Sequence, residues 1–287
     1  MSEIQNYKHY VITRFNLFDR AGYDVSSYEY INSDKYLDLR FQLFDTYCFP
    51  SVSKQTNTNF TWLILFNDKL PEKWREKIQK YIEKFPNLET RYLSEIFEDK
   101  WKNLLNNLIK KELETCNINP EFIITTRIDN DDAFNLSYID KIQNYYLKNQ
   151  QEAIINFSNG LQYVPKYNVL KNHRNKYGHF GSLIEKNDGK AKTILAFPHN
   201  APPVAFKSVC LNIKQPMWIE VLHQTNVMNV TDFQINDMIT DLLLIGLRYK
   251  NLSDFGIKQS VPRYNFYIWK LFFEWFCRKI KSLIKKF

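Results

Sequence analysis

Hydrophobic and polar positions in the first half of the chain predict strands that alternate with helices. Apolar runs of strand length occur four times, at 9–15, 61–68, 88–93 and 122–128. Between them, apolar residues recur at the helical spacing of three or four positions, at 37–55, 71–85 and 98–114. This alternation is typical of a mostly parallel sheet with helices on both faces. The sequence therefore predicts an α/β fold of the Rossmann type.

The pattern changes after a further helix, predicted at 136–149. Short apolar runs separated by polar loops follow, namely "AIINF", "GLQYV", "GSLIE" and "KTILAF", and they predict short strands. A last helical pattern covers 235–249. Pro50 is expected to interrupt the helical pattern of 37–55, because proline cannot donate a backbone hydrogen bond.

The chain length allows one large domain. We predict a domain at 1–262, with a nucleotide-binding half at about 1–135 and an acceptor half at about 136–262, and a separate tail at 263–287. Of the 287 residues, 44% are hydrophobic and 24% are charged, which predicts an ordinary globular core. No apolar run approaches the ~20 residues that span a bilayer, and the first residues do not have the pattern of a signal peptide. The expected location is therefore the cytoplasm.

The four cysteines lie far apart in the sequence and form no C-x-x-C pair. They are expected to be reduced, structural thiols rather than a zinc site or a disulfide framework.

The net charge of +8 is concentrated in the tail. Residues 263–287 contain seven basic residues and one acidic residue. Apolar residues recur there every three or four positions, at 268, 271, 272, 275, 276, 280, 283, 284 and 287. This pattern predicts an amphipathic helix that lies on an anionic membrane surface. The alternatives are a helix packed on the core and a nucleic-acid patch; nothing else in the sequence supports nucleic acid as a partner.

Three carboxylates follow the strand predicted at 122–128, in the stretch "TTRIDNDDA". Asp129, Asp131 and Asp132 repel one another unless a cation, a basic group or a helix start neutralises them. A charged loop that caps the next helix is the simplest explanation. An EF-hand calcium loop is excluded because Ala133 and Phe134 replace the required residues.

Two enzyme classes remain for this D-x-D pattern. A haloacid-dehalogenase-like phosphatase would use Asp129 as its nucleophile, although Ala133 departs from that motif. A GT-A glycosyltransferase would instead use the carboxylates to hold Mg²⁺ or Mn²⁺ against the diphosphate of a nucleotide-sugar, because these metals prefer oxygen ligands.

Five stretches together resemble a family of bacterial rhamnosyltransferases over about 9–230. They are "HYVITRFN", "RFQLFDTYCFPSVSKQTNTNFTWLILFND", "TTRIDNDDA", "GSLIE" and "WIEVLHQTNV". The second stretch is also similar to one found in large inverting GT-A families, in which the acid that ends the second strand contacts the nucleobase. The resemblance implies a GT-A-like, mostly parallel sheet flanked by helices. It also implies that Asp68 contacts the base and that Thr13, Arg14 and Asn16 lie near the nucleotide.

The same resemblance implies a metal site. Asp131 would bind Mn²⁺ or Mg²⁺, Asp129 would face the ribose or assist the metal, and Asp132 would support them. Arg127 would balance the carboxylates or a phosphate. A histidine from the second half completes such sites, and His223 is the first candidate.

His199 is the second candidate for the histidine ligand of the metal.

An inverting enzyme also needs a carboxylate that takes the proton from the attacking hydroxyl. The candidates for this base are Asp237, Asp232 and Glu185. The stretch around Asp237 resembles the acidic pair that opens a helix and carries the base in inverting GT-A enzymes, although Asn236 replaces the first acid.

The sequence as a whole predicts a metal-dependent, inverting glycosyltransferase. It would move rhamnose or another hexose from a UDP-, dTDP- or GDP-sugar to a polysaccharide or lipopolysaccharide precursor. The tail would hold it on the cytosolic face of the inner membrane. The alternatives are the phosphatase with Asp129 and a catalytically inactive membrane adaptor of a polysaccharide assembly complex.

Overall fold

The chain forms two sheets in a computed structural model that describes residues 6–17, 26–94, 101–197, 206–223 and 252–258, with Phe273, Cys277 and Ile280. Seven strands build the larger sheet: β1 (Tyr7–Arg14), β2 (Thr61–Asn67), β3 (Leu88–Leu93), β4 (Phe122–Arg127), β6 (Ala153–Phe157), β9 (Gly181–Lys186) and β10 (Ser208–Leu211). Four strands build the smaller sheet: β5 (Ala133–Phe134), β7 (Asn159–Val164), β8 (Val169–Arg174) and β11 (Trp218–Val221).

Six α-helices connect the strands in the described part of the chain: α1 (Ser26–Ile31), α2 (Asp34–Leu43), α3 (Phe49–Ser53), α4 (Glu72–Lys84), α5 (Trp101–Thr115) and α6 (Tyr138–Asn149). A π-helical turn at Phe44–Cys48 joins α2 to α3. The helical path therefore continues through Pro50, and the predicted interruption is wrong. Pro50 lies in the first turn of α3, where a missing backbone N–H is tolerated.

The larger sheet has the strand order β10-β6-β9-β4-β1-β2-β3. Among the described strands of this sheet, only β9 runs antiparallel to its neighbours. In the parallel part, Arg14 pairs with Leu65 and Ile12 pairs with Arg127. The carboxyl ends of β1, β2 and β4 therefore meet at one edge, which is where ligands bind in open α/β sheets.

The core lies on both faces of this sheet, because side chains alternate along each strand. Tyr10 and Ile12 of β1 pack with the apolar side of α5. Val11 belongs to the larger, aromatic-rich cluster with α2, α4 and α6. In that cluster Phe41 stacks on Trp74 with ring centroids 4.6 Å apart. All seven residues of β2 are buried, as expected for a strand covered on both faces.

The smaller sheet joins the second half of the chain to the end of β4. Strand β5 begins directly after Asp132, and Ile219 of β11 pairs with Ala133 of β5. The indole of Trp218 donates to Phe157 O at 2.9 Å and lies against Gly160. A Cβ at position 160 would overlap the indole, so only glycine allows this approach.

The predicted fold class, an α/β fold with a mostly parallel sheet flanked by helices, is confirmed. The second half of the chain shares the larger sheet with the first half, because β6, β9 and β10 belong to that sheet. The predicted strand "KTILAF" is wrong: Ile194–Ala196 form a 3-10 turn. The helix predicted at 235–249 and most of the tail lie outside the described residues, so the domain boundaries stay predictions.

None of the helices in the described part of the chain has the length and apolar run that crossing a bilayer requires.

A buried histidine gives the fold a predicted acid sensitivity. His9 in β1 contacts Thr126 Oγ1 through Nε2 at 2.8 Å, and its Nδ1 faces the amide nitrogen of Gln143 at 3.2 Å. The amide orientation is fixed because Tyr7 donates to Gln143 Oε1 and Gln143 Nε2 donates to Asn59 O. A proton on Nδ1 would therefore face another donor, and burial lowers the pKa of His9 to about 3.

Since an unfolded histidine titrates near 6.5, the unfolded chain binds more protons than the folded chain at pH 3 to 6.5. Stability is therefore lost as the pH falls through this window. Between pH 8 and pH 5, His9 should remove about 2 kcal/mol from the free energy of unfolding. Urea denaturation at both pH values should show this loss in the wild type and not in His9→Gln. Equal pH dependence in both proteins would contradict the assignment.

Candidate functional site

Charged side chains gather at the carboxyl edge of the larger sheet. Asp129 to Asp132, here called the acid loop, follow β4, while Arg14 ends β1 and Asp68 follows β2. The side chains of Arg14 and Asp129 approach to 3.8 Å, and each is 33% exposed. This pair is therefore accessible to a ligand, and so is Asp68, which is exposed.

Asp131 is a buried carboxylate of the acid loop with two basic partners. Its Oδ2 lies 3.0 Å from a terminal nitrogen of Arg40 and 2.7 Å from Nε2 of His223. Burial alone would raise the pKa of Asp131, but Arg40 and His223 outweigh it, so the pKa lies well below its usual range. Asp131 is therefore a charged carboxylate inside the protein.

Arg40 ties the acid loop to α2. It also donates to Asn130 Oδ1, and Asn130 Nδ2 in turn donates to the backbone oxygens of Arg14 and Phe15, at 3.2 and 2.9 Å. Burial opposes the charge of the guanidinium, but the Asp131 carboxylate outweighs burial and raises the pKa of Arg40. The end of β1, the acid loop and α2 are thus linked around one ion pair.

Asp132 connects the acid loop to β11 and to the segment before β9. Its Oδ2 lies 3.1 Å from Nε2 of His179, and its Oδ1 accepts from the backbone N–H of Val221 at 2.9 Å. Burial and the neighbouring Asp131 raise the pKa of Asp132 to about 7. For His179, burial would lower the pKa, but Asp132 outweighs it and raises the pKa to about 9. Val221 lies two residues before His223, so this contact helps to place His223.

Arg127 is buried just before the acid loop. It donates to the backbone oxygens of His179 at 2.7 Å and Phe197 at 3.1 Å. Burial lowers the pKa of its guanidinium to about 10. Its observed partners are therefore backbone segments near the acid loop, which it holds in place.

Two residues assigned to the nucleotide from the sequence have side chains that contact protein groups outside the acid loop. Thr13 is buried, and its hydroxyl accepts from the indole of Trp62 at 3.0 Å. Asn16 is buried as well, and its side chain contacts the backbone N–H of Asn67 and the side chain of Asn32. Both act in the fold, because these polar groups are already occupied by protein partners.

Glu185 lies at the wrong end of the sheet for a catalytic base. It pairs with Ile123, six residues before Asp129, or about 20 Å along an extended strand. Its carboxylate accepts from the backbone N–H groups of Lys192 and Thr193 at 2.8 and 2.9 Å. The other candidate bases, Asp232 and Asp237, and the second candidate ligand, His199, lie outside the described residues.

Sequence reasoning missed Arg40 and His179. A signal for Arg40 exists, because it lies on the apolar stripe of Leu37, Phe41 and Phe44, where a cation requires an acidic partner. His179 gives no comparable signal, since its contact with Asp132 depends on how β9 enters the sheet.

Two side chains converge as potential metal ligands. Asp131 offers a carboxylate oxygen, the donor that Mn²⁺ and Mg²⁺ prefer, and His223 offers an imidazole nitrogen, a donor for transition metals such as Mn²⁺. Within the described ranges, no three His, Cys, Asp or Glu side chains are grouped closely enough to hold a metal by themselves. Such ions usually complete their coordination with water and substrate phosphates, so the donor set fits a metal that binds with a phosphate ligand.

The protein has an α/β fold whose mostly parallel sheet carries the acid loop at its carboxyl edge. Ligands bind at this edge in open α/β folds. The chain belongs to the family described as "Putative rhamnosyl transferase", whose sequence profile matches residues 8–234. Membership of this family sets aside the alternative of a phosphatase with Asp129 as nucleophile. No curated protein matches the chain.

Solved structures that the chain resembles weakly include two of S. aureus TarS. TarS 1-349 has 12% sequence identity and a TM-score of 0.41, over 75% of this chain and 60% of that one. The longer TarS has 15% identity and a TM-score of 0.40, over 75% of this chain and 37% of that one.

A third structure is a putative nucleotide-diphospho-sugar transferase from Desulfovibrio desulfuricans G20. It has 7% identity and a TM-score of 0.37, over 72% of this chain and 80% of that one. The chain thus spans less than two thirds of either TarS structure.

The contacts of Asp132 predict a stability effect that depends on its oxygen atoms. Asp132→Ala should lower the free energy of unfolding by about 3 kcal/mol, because it removes the acceptor for Val221 N–H and the partner of His179. Asp132→Asn keeps one acceptor oxygen and should cost clearly less. Urea denaturation at pH 7 measures both values. Equal stability of the alanine variant and the wild type would contradict the contacts.

Proposed function

We propose that the protein is a metal-dependent, inverting glycosyltransferase that takes a sugar from a nucleotide-sugar. The acceptor in this proposal is a cell-surface polysaccharide or lipopolysaccharide precursor. The observation that carries the proposal is the meeting of Asp131, from the end of β4, with His223, from the end of β11, at 2.7 Å. An oxygen ligand and an imidazole ligand from the two halves of the chain converge beside an accessible acid, Asp129.

The donor is proposed to lie across the carboxyl ends of β1, β2 and β4. Asp68, exposed after β2, is the proposed contact of the nucleobase. Asp129 is the proposed contact of the ribose, and Arg14 is close enough to serve a phosphate. Thr13, Asn16 and Arg127 are not assigned ligand contacts, because their side chains already make hydrogen bonds to protein groups.

Asp131 and His223 are the proposed ligands of Mn²⁺ or Mg²⁺, with Asp129 near them. A bound ion of this kind offsets the negative charge of the departing nucleoside diphosphate. The protein itself would contribute fixed charges that need no reorganisation during the reaction, and Arg14 is the most accessible of them.

An inverting reaction also requires a base for the acceptor hydroxyl. Asp237 is our proposed base and Asp232 is the second choice. Glu185 is dropped, because it pairs with the start of β4, at the opposite end of this strand from the acid loop, and its oxygens accept from backbone N–H groups.

The acceptor is proposed to be a lipid-linked glycan at the cytosolic face of the membrane. The basic, apolar-striped tail at 263–287 supports this proposal through its sequence. Five cations follow position 277, and each adds about 1 kcal/mol of attraction near an anionic surface.

An inactive membrane adaptor with the same fold is the remaining alternative. The pair of Asp131 and His223 favours an enzyme, because an adaptor has no need of a buried carboxylate with an imidazole partner.

Asp131→Asn is expected to abolish turnover. The amide cannot supply the charged oxygen that a divalent cation requires, so the release of nucleoside diphosphate should fall at least about 100-fold. A coupled assay with UDP-, dTDP- and GDP-sugars, with and without Mn²⁺, measures this release.

The matched control for this variant is Asp188→Asn. Asp188 is exposed, lies in the turn after β9, and caps Lys190 N–H, a role that asparagine also fills. This control should keep wild-type turnover. Unchanged turnover and unchanged Mn²⁺ dependence in Asp131→Asn would contradict the proposed site. No release by the wild type with any donor would favour the adaptor.

Removal of the tail tests the membrane proposal. A chain that ends at Val261 should no longer sediment with vesicles that contain anionic lipid, whereas the full chain should do so less as the salt concentration rises. Turnover with a water-soluble acceptor should persist in the truncated chain. Equal sedimentation of the two chains would contradict the proposed membrane contact.

A further inference from the structure

Basic side chains already offset the negative charge of the acid loop. The guanidiniums of Arg14 and Arg40 approach Asp129 and Asp131, and the imidazole of His179 contacts Asp132. A divalent cation alone would add two positive charges to this set, and a diphosphate alone would add two or more negative charges. The two together change the net charge less than either does alone, so each should favour the other.

Arg40 occupies the oxygen atom of Asp131 that also faces His223, the second proposed metal ligand. Both Arg40 and His223 contact Oδ2 of Asp131, at 3.0 and 2.7 Å. A guanidinium and a divalent cation on one buried oxygen repel each other strongly. Metal binding to this oxygen therefore requires that Arg40 withdraw.

The surroundings of Arg40 allow it to take a second acceptor. Its side chain is 12% exposed, and the buried Nε has no hydrogen-bond partner among the described residues. Arginine donors match the oxygens of a phosphate in number and geometry. A diphosphate beside the acid loop would supply acceptors for this unused donor as well as for the nitrogen released from Asp131.

We propose that Arg40 is the resident counter-ion of Asp131, which competes with the divalent cation and pairs with the donor's diphosphate once it is displaced. The proposal rests on the proposed function, and it makes Arg40 a positioning residue that couples metal binding to nucleotide binding. Metal binds weakly while Arg40 holds Asp131, and the diphosphate removes this obstacle.

Mn²⁺ binding to the folded protein tests the proposal without any turnover. The signal of free Mn²⁺ in electron paramagnetic resonance gives its Kd, first alone and then with saturating UDP, GDP or dTDP as the probe. In the wild type, the effective nucleotide should tighten Mn²⁺ binding at least about fivefold.

Arg40→Gln removes the competing charge. It should bind Mn²⁺ alone at least about fivefold more tightly than the wild type, and should bind the nucleoside diphosphate more weakly by a similar factor. If the role of Arg40 were purely structural, Arg40→Gln would bind both Mn²⁺ and the nucleoside diphosphate more weakly. Arg174→Gln, the same change at an exposed position in β8, should match the wild type in both.

Arg40→Lys decides the question if Arg40→Gln does not fold. Lysine keeps the charge but cannot contact Asp131 and Asn130 together, so Mn²⁺ alone should bind at least about twofold more tightly. Mn²⁺ binding that is unchanged or weaker in the folded variant would overturn the proposal.

Asp131→Asn separates this inference from the proposed function. If this variant loses Mn²⁺ binding while Arg40→Gln shows no gain, only the role of Arg40 is wrong. If Asp131→Asn binds Mn²⁺ as the wild type does, or if the wild type and Arg40→Gln both fail to bind it, the metal site and the role of Arg40 are both wrong.

Discussion

The charge of one buried carboxylate, that of Asp131, is the constraint on which the site depends. Removing a carboxylate from water costs several kcal/mol, and only close partners offset this cost. Arg40 from α2 and His223 from the end of β11 provide them. Arg40 and Asp131 lie 91 positions apart in the chain, and Asp131 and His223 lie 92 positions apart. Stabilising this one charge therefore requires distant segments to meet.

The two sheets bring about this meeting. Parallel pairing of β1 with β2 and β4 aligns three carboxyl ends at one edge, and the acid loop begins there. Pairing of β5 with β11 then brings the second half of the chain to the same edge. Asp132 fixes this junction through Val221 N–H and His179. Consecutive residues of one loop therefore contact different elements: Asn130 and Asp131 contact Arg40 of α2, and Asp132 contacts β11 and the segment before β9.

The fold class and the position of the acid loop were predictable from the sequence, because long apolar runs and helical spacings are local signals. The contact of His223 with Asp131 agrees with the ligand that the family resemblance implied, although metal binding itself stays a prediction. Whether Glu185 lies near enough to the acid loop to act as the base could not be predicted from the sequence, since its position depends on the antiparallel register of β9. Thr13 and Asn16 could not be judged either, because their hydrogen bonds depend on packing.

Thermal unfolding with a panel of nucleotide-sugars, with and without Mn²⁺, tests the central claim most directly. The account predicts that one nucleotide class raises the melting temperature, that Mn²⁺ increases this shift, and that Asp131→Asn loses the increase. A ligand at 100 times its Kd stabilises a protein by about 2.7 kcal/mol, enough for a clear shift. The absence of any shift with UDP-, dTDP- and GDP-sugars, in the presence of Mn²⁺, would contradict the claim that this edge of the sheet binds a nucleotide-sugar.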